Sequence, residues 1–349
     1  MIGSARGLGS LALALGVAAA GGYLAQALGL PAGLLIGATV AVALLAALGA
    51  APSLPDRLRD VAFAALGMTL GAGATPQIAE EIARWPLAIA VLPVALAAMS
   101  LAAFAVVVAL SRLRGSTAAL AVSPGALSYA LALASDREMD VRPIMVMQSL
   151  RLFLVTVALP PLVALFDDAR FASLGPSNVA IAPMGLLTST VLLAFSLAAG
   201  WLAQRLRLPA AWLFGGLAVS FCAHVLGFVE GRPHPILVAC AFLVIGALVG
   251  GRFGSIGRRE IVELLPVGLW ATLAAILVAA LFAWPVSVAL ALPFGQVWVA
   301  YAPGGVEAMA AIGLALDYDP VFVALHHVVR LLILAVALPL VMNLLVSRD

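Results

Sequence analysis

A chain of 349 residues in which 64% are hydrophobic and only 10% charged lies outside the range of soluble domains. Its mean hydropathy of +1.18 marks an integral membrane protein, and no polar stretch is long enough to form a soluble domain. The formal net charge is +2 and all 18 basic residues are Arg; without a basic, soluble reading surface, a nucleic-acid partner is excluded.

Several apolar runs reach about 20 residues, the length at which an α-helix crosses the hydrocarbon core, and none alternates with the period of a barrel strand. In the first half, apolar segments are predicted at 8–27, 31–50, 58–75, 86–110, 116–134 and 141–166. A polar linker at 167–176 follows. The second half then returns segments at 183–204, 209–228, 235–251, 264–284, 296–315 and 320–346. The start of the chain has the look of a secretory leader, yet Gly22, Gln26, Pro31 and Gly37 reappear as Gly200, Gln204, Pro209 and Gly215, which makes the first segment part of the folded unit. The third segments carry Gly67-x-x-x-Gly71 and Gly246-x-x-x-Gly250, spacings that let helix backbones approach closely. Cys222 and Cys240 lie in apolar runs with no second cysteine or histidine cluster nearby, and read as buried, inert thiols.

The halves match most closely near their ends. Ser123-Pro124-Gly125, Asp140, Arg151 and Pro160 are restated as Ala302-Pro303-Gly304, Asp319, Arg330 and Pro339, each 179 positions on. A fixed offset over that distance is an internal duplication. Arginine placement orients the copies: Arg57, Arg59, Arg112 and Arg114 follow the second and fourth segments of the first half, whereas Arg205, Arg207, Arg252, Arg258 and Arg259 follow the first and third of the second. With positive loops kept cytoplasmic, the second copy is inverted, which requires an odd number of crossings per half. Pro and Gly interrupt the fifth segments, which are taken as broken or re-entrant. The expected fold is therefore an all-α membrane protein of two inverted repeats, 1–172 and 173–349, forming one folded unit. Each repeat has about five spans plus a broken Pro-Gly segment, in the manner of a secondary carrier. Ten crossings result; twelve, with parallel repeats, is the alternative.

Asp140 and Asp319 open the sixth segments, the second directly before Pro320, and read as helix caps. Eleven residues on, about 16 Å along the helix, Arg151 and Arg330 fall near the bilayer midplane. Such residues either line a substrate path or bond the carbonyls of a broken helix. Glu307 stands three residues after Gly304, where the first half has Ser128. An intramembrane carboxylate beside a helix break is a candidate proton carrier, since low dielectric penalises its charged form; a permanent salt bridge to Arg330 or Arg151 is the alternative. His326 and His327 replace Met147 and Gln148. Adjacent helical residues point about 100° apart, so the pair reads as a hydrogen-bond partner or proton relay beside Arg330 rather than a metal site.

The doubled Pro-Gly motif (Pro124-Gly125 and Pro303-Gly304-Gly305-x-Glu307), its trailing Asp and Arg, and the doubled Gln-x-x-x-x-Pro at Gln26–Pro31 and Gln204–Pro209 resemble the AbrB-family membrane proteins. The resemblance implies two copies of one module and kinship with secondary carriers that have inverted repeats. The family also bears an ammonia monooxygenase label, but four histidines placed as these are do not supply the clustered ligands such an enzyme needs. The expected function is secondary transport, in the bacterial inner membrane, of a small anionic or zwitterionic organic solute, with proton coupling through Glu307. The pathway is assigned to Pro124, Gly125, Ser128, Arg151, Pro303, Gly304, Gly305, Glu307, His326, His327 and Arg330. No metal or cofactor is called for. The partners are the solute, the bilayer and a second copy of the chain. A membrane oxygenase and a non-transporting sensor with an indirect effect on gene expression are the alternatives.

Overall fold

The computed structural model of the chain describes residues 5–50, 54–73, 85–113, 115–124, 127–166 and 182–346, so Gly125, Arg114 and the 167–176 linker lie outside the described residues. The first half comprises α1 (Ala5–Ala27), α2 (Gly33–Ala47), α3 (Asp56–Gly71), α4 (Pro86–Leu110), α5 (Gly115–Val122), α6 (Leu127–Ser135) and α7 (Val141–Phe166). The second comprises α8 (Leu186–Arg205), α9 (Ala211–Val225), α10 (Pro235–Gly251), a 3-10 turn (Arg252–Ser255), α11 (Arg258–Leu290), α12 (Phe294–Tyr301), α13 (Val306–Ala315) and α14 (Pro320–Val346). No strand forms among the described residues; a single isolated bridge joins Pro183 to Arg232.

Among the described residues, seven helices are long and apolar enough to cross a membrane: α1, α4, α7, α8, α10 together with the 3-10 turn, α11 and α14. Their outer faces expose residues such as Leu101, Leu187, Trp270, Leu281 and Leu332, an apolar surface too large for a water-soluble monomer and suited to lipid. The chain is thus a multi-pass, all-helical membrane protein. The expected 264–284 segment is a 33-residue helix, α11, which runs through both Pro266 and Pro285. The hydrogen bond that a proline removes is tolerated where neighbouring helices hold the segment. The expectation for the cysteines also needs correction: Cys222 on α9 and Cys240 on α10 are exposed. An apolar run in a membrane protein does not say which face turns inward, because lipid is as apolar as the core.

Packing joins the halves in a crossed manner. α3 lies against α9, and α10 lies against α2. A Cβ on Gly67 would collide with the Leu213 carbonyl oxygen and stand 3.0 Å from Leu217 N; one on Gly246 would stand 2.7 Å from Leu35 O and 3.1 Å from Thr39 N. Both glycines therefore allow the same backbone-to-backbone approach, each onto the other half's second helix. The turns into those second helices also agree, with left-handed residues at Ala32 (φ 54°) and Ala210 (φ 48°). Two groups of helices result: α1–α3 with α8–α10, and α4–α7 with α11–α14. Contacts between the groups run chiefly through α7, α13 and α14; the 3-10 turn packs on α2 and α10, and its Phe253 stands edge-on to Phe153 of α7 at a centroid distance of 5.2 Å.

Candidate functional site

The two Pro-Gly breaks lie within the second group. α5 stops at Val122 and α6 starts at Leu127; α12 stops at Tyr301 and α13 starts at Val306. Each half-helix of 8 residues spans about 12 Å, too little to cross the hydrocarbon by itself. A helix that stops leaves its last carbonyls without amide partners, and here Ser123, Pro124, Ala302, Pro303 and Gly304 are all buried.

The long helix after each break supplies the missing donors. Arg151 Nη1 donates to Val122 O at 3.2 Å and to Ser123 O at 2.8 Å. Arg330 Nη1 donates to Ala302 O at 2.7 Å, and its Nη2 to Gly304 O. One turn earlier, Gln148 Nε2 donates to Leu120 O at 2.8 Å and approaches Ser123 Oγ at 3.4 Å, while His327 Nε2 bonds Val299 O at 3.1 Å. Arg151 on Ser123 and Arg330 on Ala302, like Gln148 on Leu120 and His327 on Val299, keep the 179-residue offset at both ends of the bond. Bonding the break's carbonyls, one of the two roles the sequence allowed these arginines, is what their terminal nitrogens do. Gln148 went unassigned in the sequence; the signal that could have found it is its pairing with His327 across the duplication.

The same side chains keep atoms in reserve. Gln148, His326, His327 and Arg330 are buried to 1% exposure or less, and Arg151 to 8%. Yet Arg151 Nε, Arg330 Nε, Gln148 Oε1, His326 Nε2 and His327 Nδ1 have no hydrogen-bond partner among the described residues. His326 bonds Phe322 O through Nδ1 at 2.8 Å and packs 4.1 Å from the Phe322 ring and 6.1 Å from that of Tyr301.

Charge gathers at the same place. The guanidinium groups of Arg151 and Arg330 act on one another, and Arg252 acts on Arg151. Glu307, the second residue of α13, feels Arg252, Arg59 and Arg330. It forms no ion pair among the described residues, whereas Arg59 is already bonded to Asp56 and Asp60. The permanent Glu307 salt bridge considered from the sequence is therefore absent from this arrangement, although an acid near a helix N-terminus is favourably placed. Arg59 and Arg252 were read in the sequence only as loop charges; only folding brings their charges to bear on Glu307. Ser128 belongs to α6, but its side chain lies outside the described residues. Gly305 is half-buried at the start of α13. Asp140 Oδ1 accepts from Arg142 N at 3.0 Å, and Asp319 Oδ1 from Val321 N and Phe322 N at 2.9 and 3.2 Å, the geometry of N-caps. No group of three or more His, Cys, Asp or Glu residues suited to a metal occurs among the described residues.

Fold and centre together define a membrane protein of apolar helices closed around a buried, cationic polar core. Residues 34–346 match the AbrB family, described as transition state regulatory protein AbrB, and the chain belongs to that family. It is 26% identical over 304 residues to the "Putative regulator AbrB" of Escherichia coli (strain K12), covering 86% of each chain. It is also 26% identical over 238 residues to the uncharacterized protein YhjN of Bacillus subtilis (strain 168), covering 64% of this chain and 62% of that one.

Proposed function

We propose that the protein is a secondary transporter of the bacterial inner membrane that carries a small anionic or zwitterionic organic solute. The observation that carries this reading is the pair of buried arginines, Arg151 and Arg330, each fixed to a helix break, acting on one another, and paired with no carboxylate among the described residues. Two like charges in low dielectric repel strongly and favour an anion between them. Broken helices packed in protein are also where membrane carriers expose backbone groups to solutes.

In this reading, 1–172 and 173–349 are inverted repeats with ten crossings, and the breaks re-enter from opposite sides. Support comes from the alternation of arginine loops and from the exposed Arg232–Asp317 pair at 3.4 Å, which joins two loops that ten crossings with cytoplasmic arginine-rich loops put together on the outer side. The α1–α3/α8–α10 group acts as the frame. The α4–α7/α11–α14 group carries the solute and shifts against it. Glu307, on the moving group, answers Arg252 and Arg59 on the frame, so gain or loss of its proton alters the attraction between the groups.

Purified protein in proteoliposomes tests the reading. A pool of labelled organic acids enters against an imposed pH gradient with the wild-type protein, and Glu307→Gln folds normally but loses the response to the gradient. Stoichiometric copper or iron in the purified protein, with no flux, would instead favour the oxygenase. Tight binding of an acid without flux would favour the regulator that the Escherichia coli relative's name suggests.

A further inference from the structure

We infer that the solute carries an N–H or O–H donor next to its carboxylate, as an amino or hydroxy acid does, and that Gln148 and His327 are the acceptors that read it. The inference rests on the transporter reading above and narrows it.

The argument is an inventory of the unpartnered atoms. A guanidinium nitrogen only donates, so Arg151 Nε and Arg330 Nε each present one N–H. Gln148 spends its amide nitrogen on Leu120 O and Ser123 Oγ, which leaves Oε1, an acceptor. His327 faces the Val299 carbonyl through Nε2, and a carbonyl only accepts. Its Nε2 therefore bears the proton, and in the neutral ring Nδ1 is an acceptor. The same logic applied to His326, bonded through Nδ1 to Phe322 O, leaves Nε2 an acceptor. The side chains bonded to the two breaks thus hold two charged donors and, on Gln148 and His327, two neutral acceptors; His326, about 100° round the helix from His327, holds a third.

A plain carboxylate or an inorganic anion supplies acceptors alone. It satisfies the arginines and sets its negative oxygens against Gln148 Oε1 and the imidazole nitrogens, which stay unbonded. A neutral amide or a cation leaves the arginines uncompensated. A carboxylate with an adjacent donor completes both sets, and burial makes each unmade bond costly. That Gln148 and His327 occupy equivalent positions, one per half, is the second support: the chemistry differs, but each turns its donor to a break carbonyl and keeps an acceptor free.

The test is binding by the full-length protein in detergent, read by calorimetry and thermal shift. The probes are three series that differ only in the donor: propionate, lactate and alanine; succinate, malate and aspartate; glutarate, 2-hydroxyglutarate and glutamate. In at least one series the hydroxy or amino acid binds at least about tenfold more tightly than its donor-less parent, the factor that one recovered hydrogen bond supplies. The hydroxy and amino arms identify which donor is used. His327→Gln, which copies the other half and keeps both a donor and an acceptor, retains the preference, and His327→Leu reduces it. Equal binding of parent and substituted acid overturns the inference while leaving an anion carrier. Binding of no acid from any series overturns both. A preference unchanged in both His327→Leu and Gln148→Leu assigns the donor to another site and also overturns the inference.

Discussion

Arg330 has no exposed surface, yet its two terminal nitrogens reach carbonyls on either side of Pro303, at Ala302 and Gly304. That reach depends on the planar fork of the guanidinium; a lysine ammonium on a flexible stem cannot hold two divergent acceptors in the same way. Arg330→Lys should therefore leave one buried carbonyl unsatisfied and lower stability by about 1–3 kcal/mol, measurable as a drop in the denaturation midpoint of the purified protein. A variant as stable as wild type would remove the clamping role. Arg151 bonds two adjacent carbonyls from one nitrogen, so Arg151→Lys should be the milder change in the same assay.

At the scale of the element, two kinds of sequence signal behave differently. The Pro-Gly motifs mark real helix ends, with α5 stopping at Val122 and α12 at Tyr301. Pro93, Pro266, Pro285 and Pro339 do not, since α4, α11 and α14 continue through them. At the breaks an arginine from the following long helix receives the freed carbonyls; elsewhere the single hydrogen bond that a proline removes is tolerated in a helix held by its neighbours. The small-residue spacings mark close helix contacts, and their partners are specific. Gly67→Val and Gly246→Val should each destabilise by about 1–3 kcal/mol through overpacking, and by similar amounts because the two sites meet equivalent backbone atoms. Gly16→Val, whose Cβ would meet nothing within 4 Å, serves as the control; thermal melts of the three in one detergent decide it.

For the whole molecule, the consequential feature is that packing does not follow the chain halves. Helices from both halves make up each group, and the crossed α3–α9 and α10–α2 contacts tie one group together. The proposed carrier reading requires the groups to move against one another, so on that reading a covalent link between them should stop uptake. In a background with the exposed Cys222 and Cys240 replaced, cross-linking cysteines at Phe153 and Phe253, whose rings touch between the groups, is expected to abolish uptake reversibly. Linking Arg137 to Asn343, which lie 2.7 Å apart within one group, should leave uptake intact. Equal loss from both links would show that the groups do not move as units.

The sequence by itself determined the membrane class, the duplication and the helix breaks, because hydropathy, a fixed offset and turn residues are local or periodic properties. It also picked out Glu307, His326 and His327 as the residues that break the symmetry. It did not reveal that the arginines commit their terminal nitrogens to carbonyls 28 residues back, that Gln148 shares the work of His327, or that the charges of Arg252 and Arg59 act on Glu307. Nor could it tell which apolar faces turn to lipid, as the exposed cysteines demonstrate. Those facts depend on which helices meet, and in a chain this uniformly apolar no hydrophobic pattern distinguishes a neighbour from the bilayer. Tertiary structure alone made that choice, through small-residue contacts and buried polar groups that must find partners.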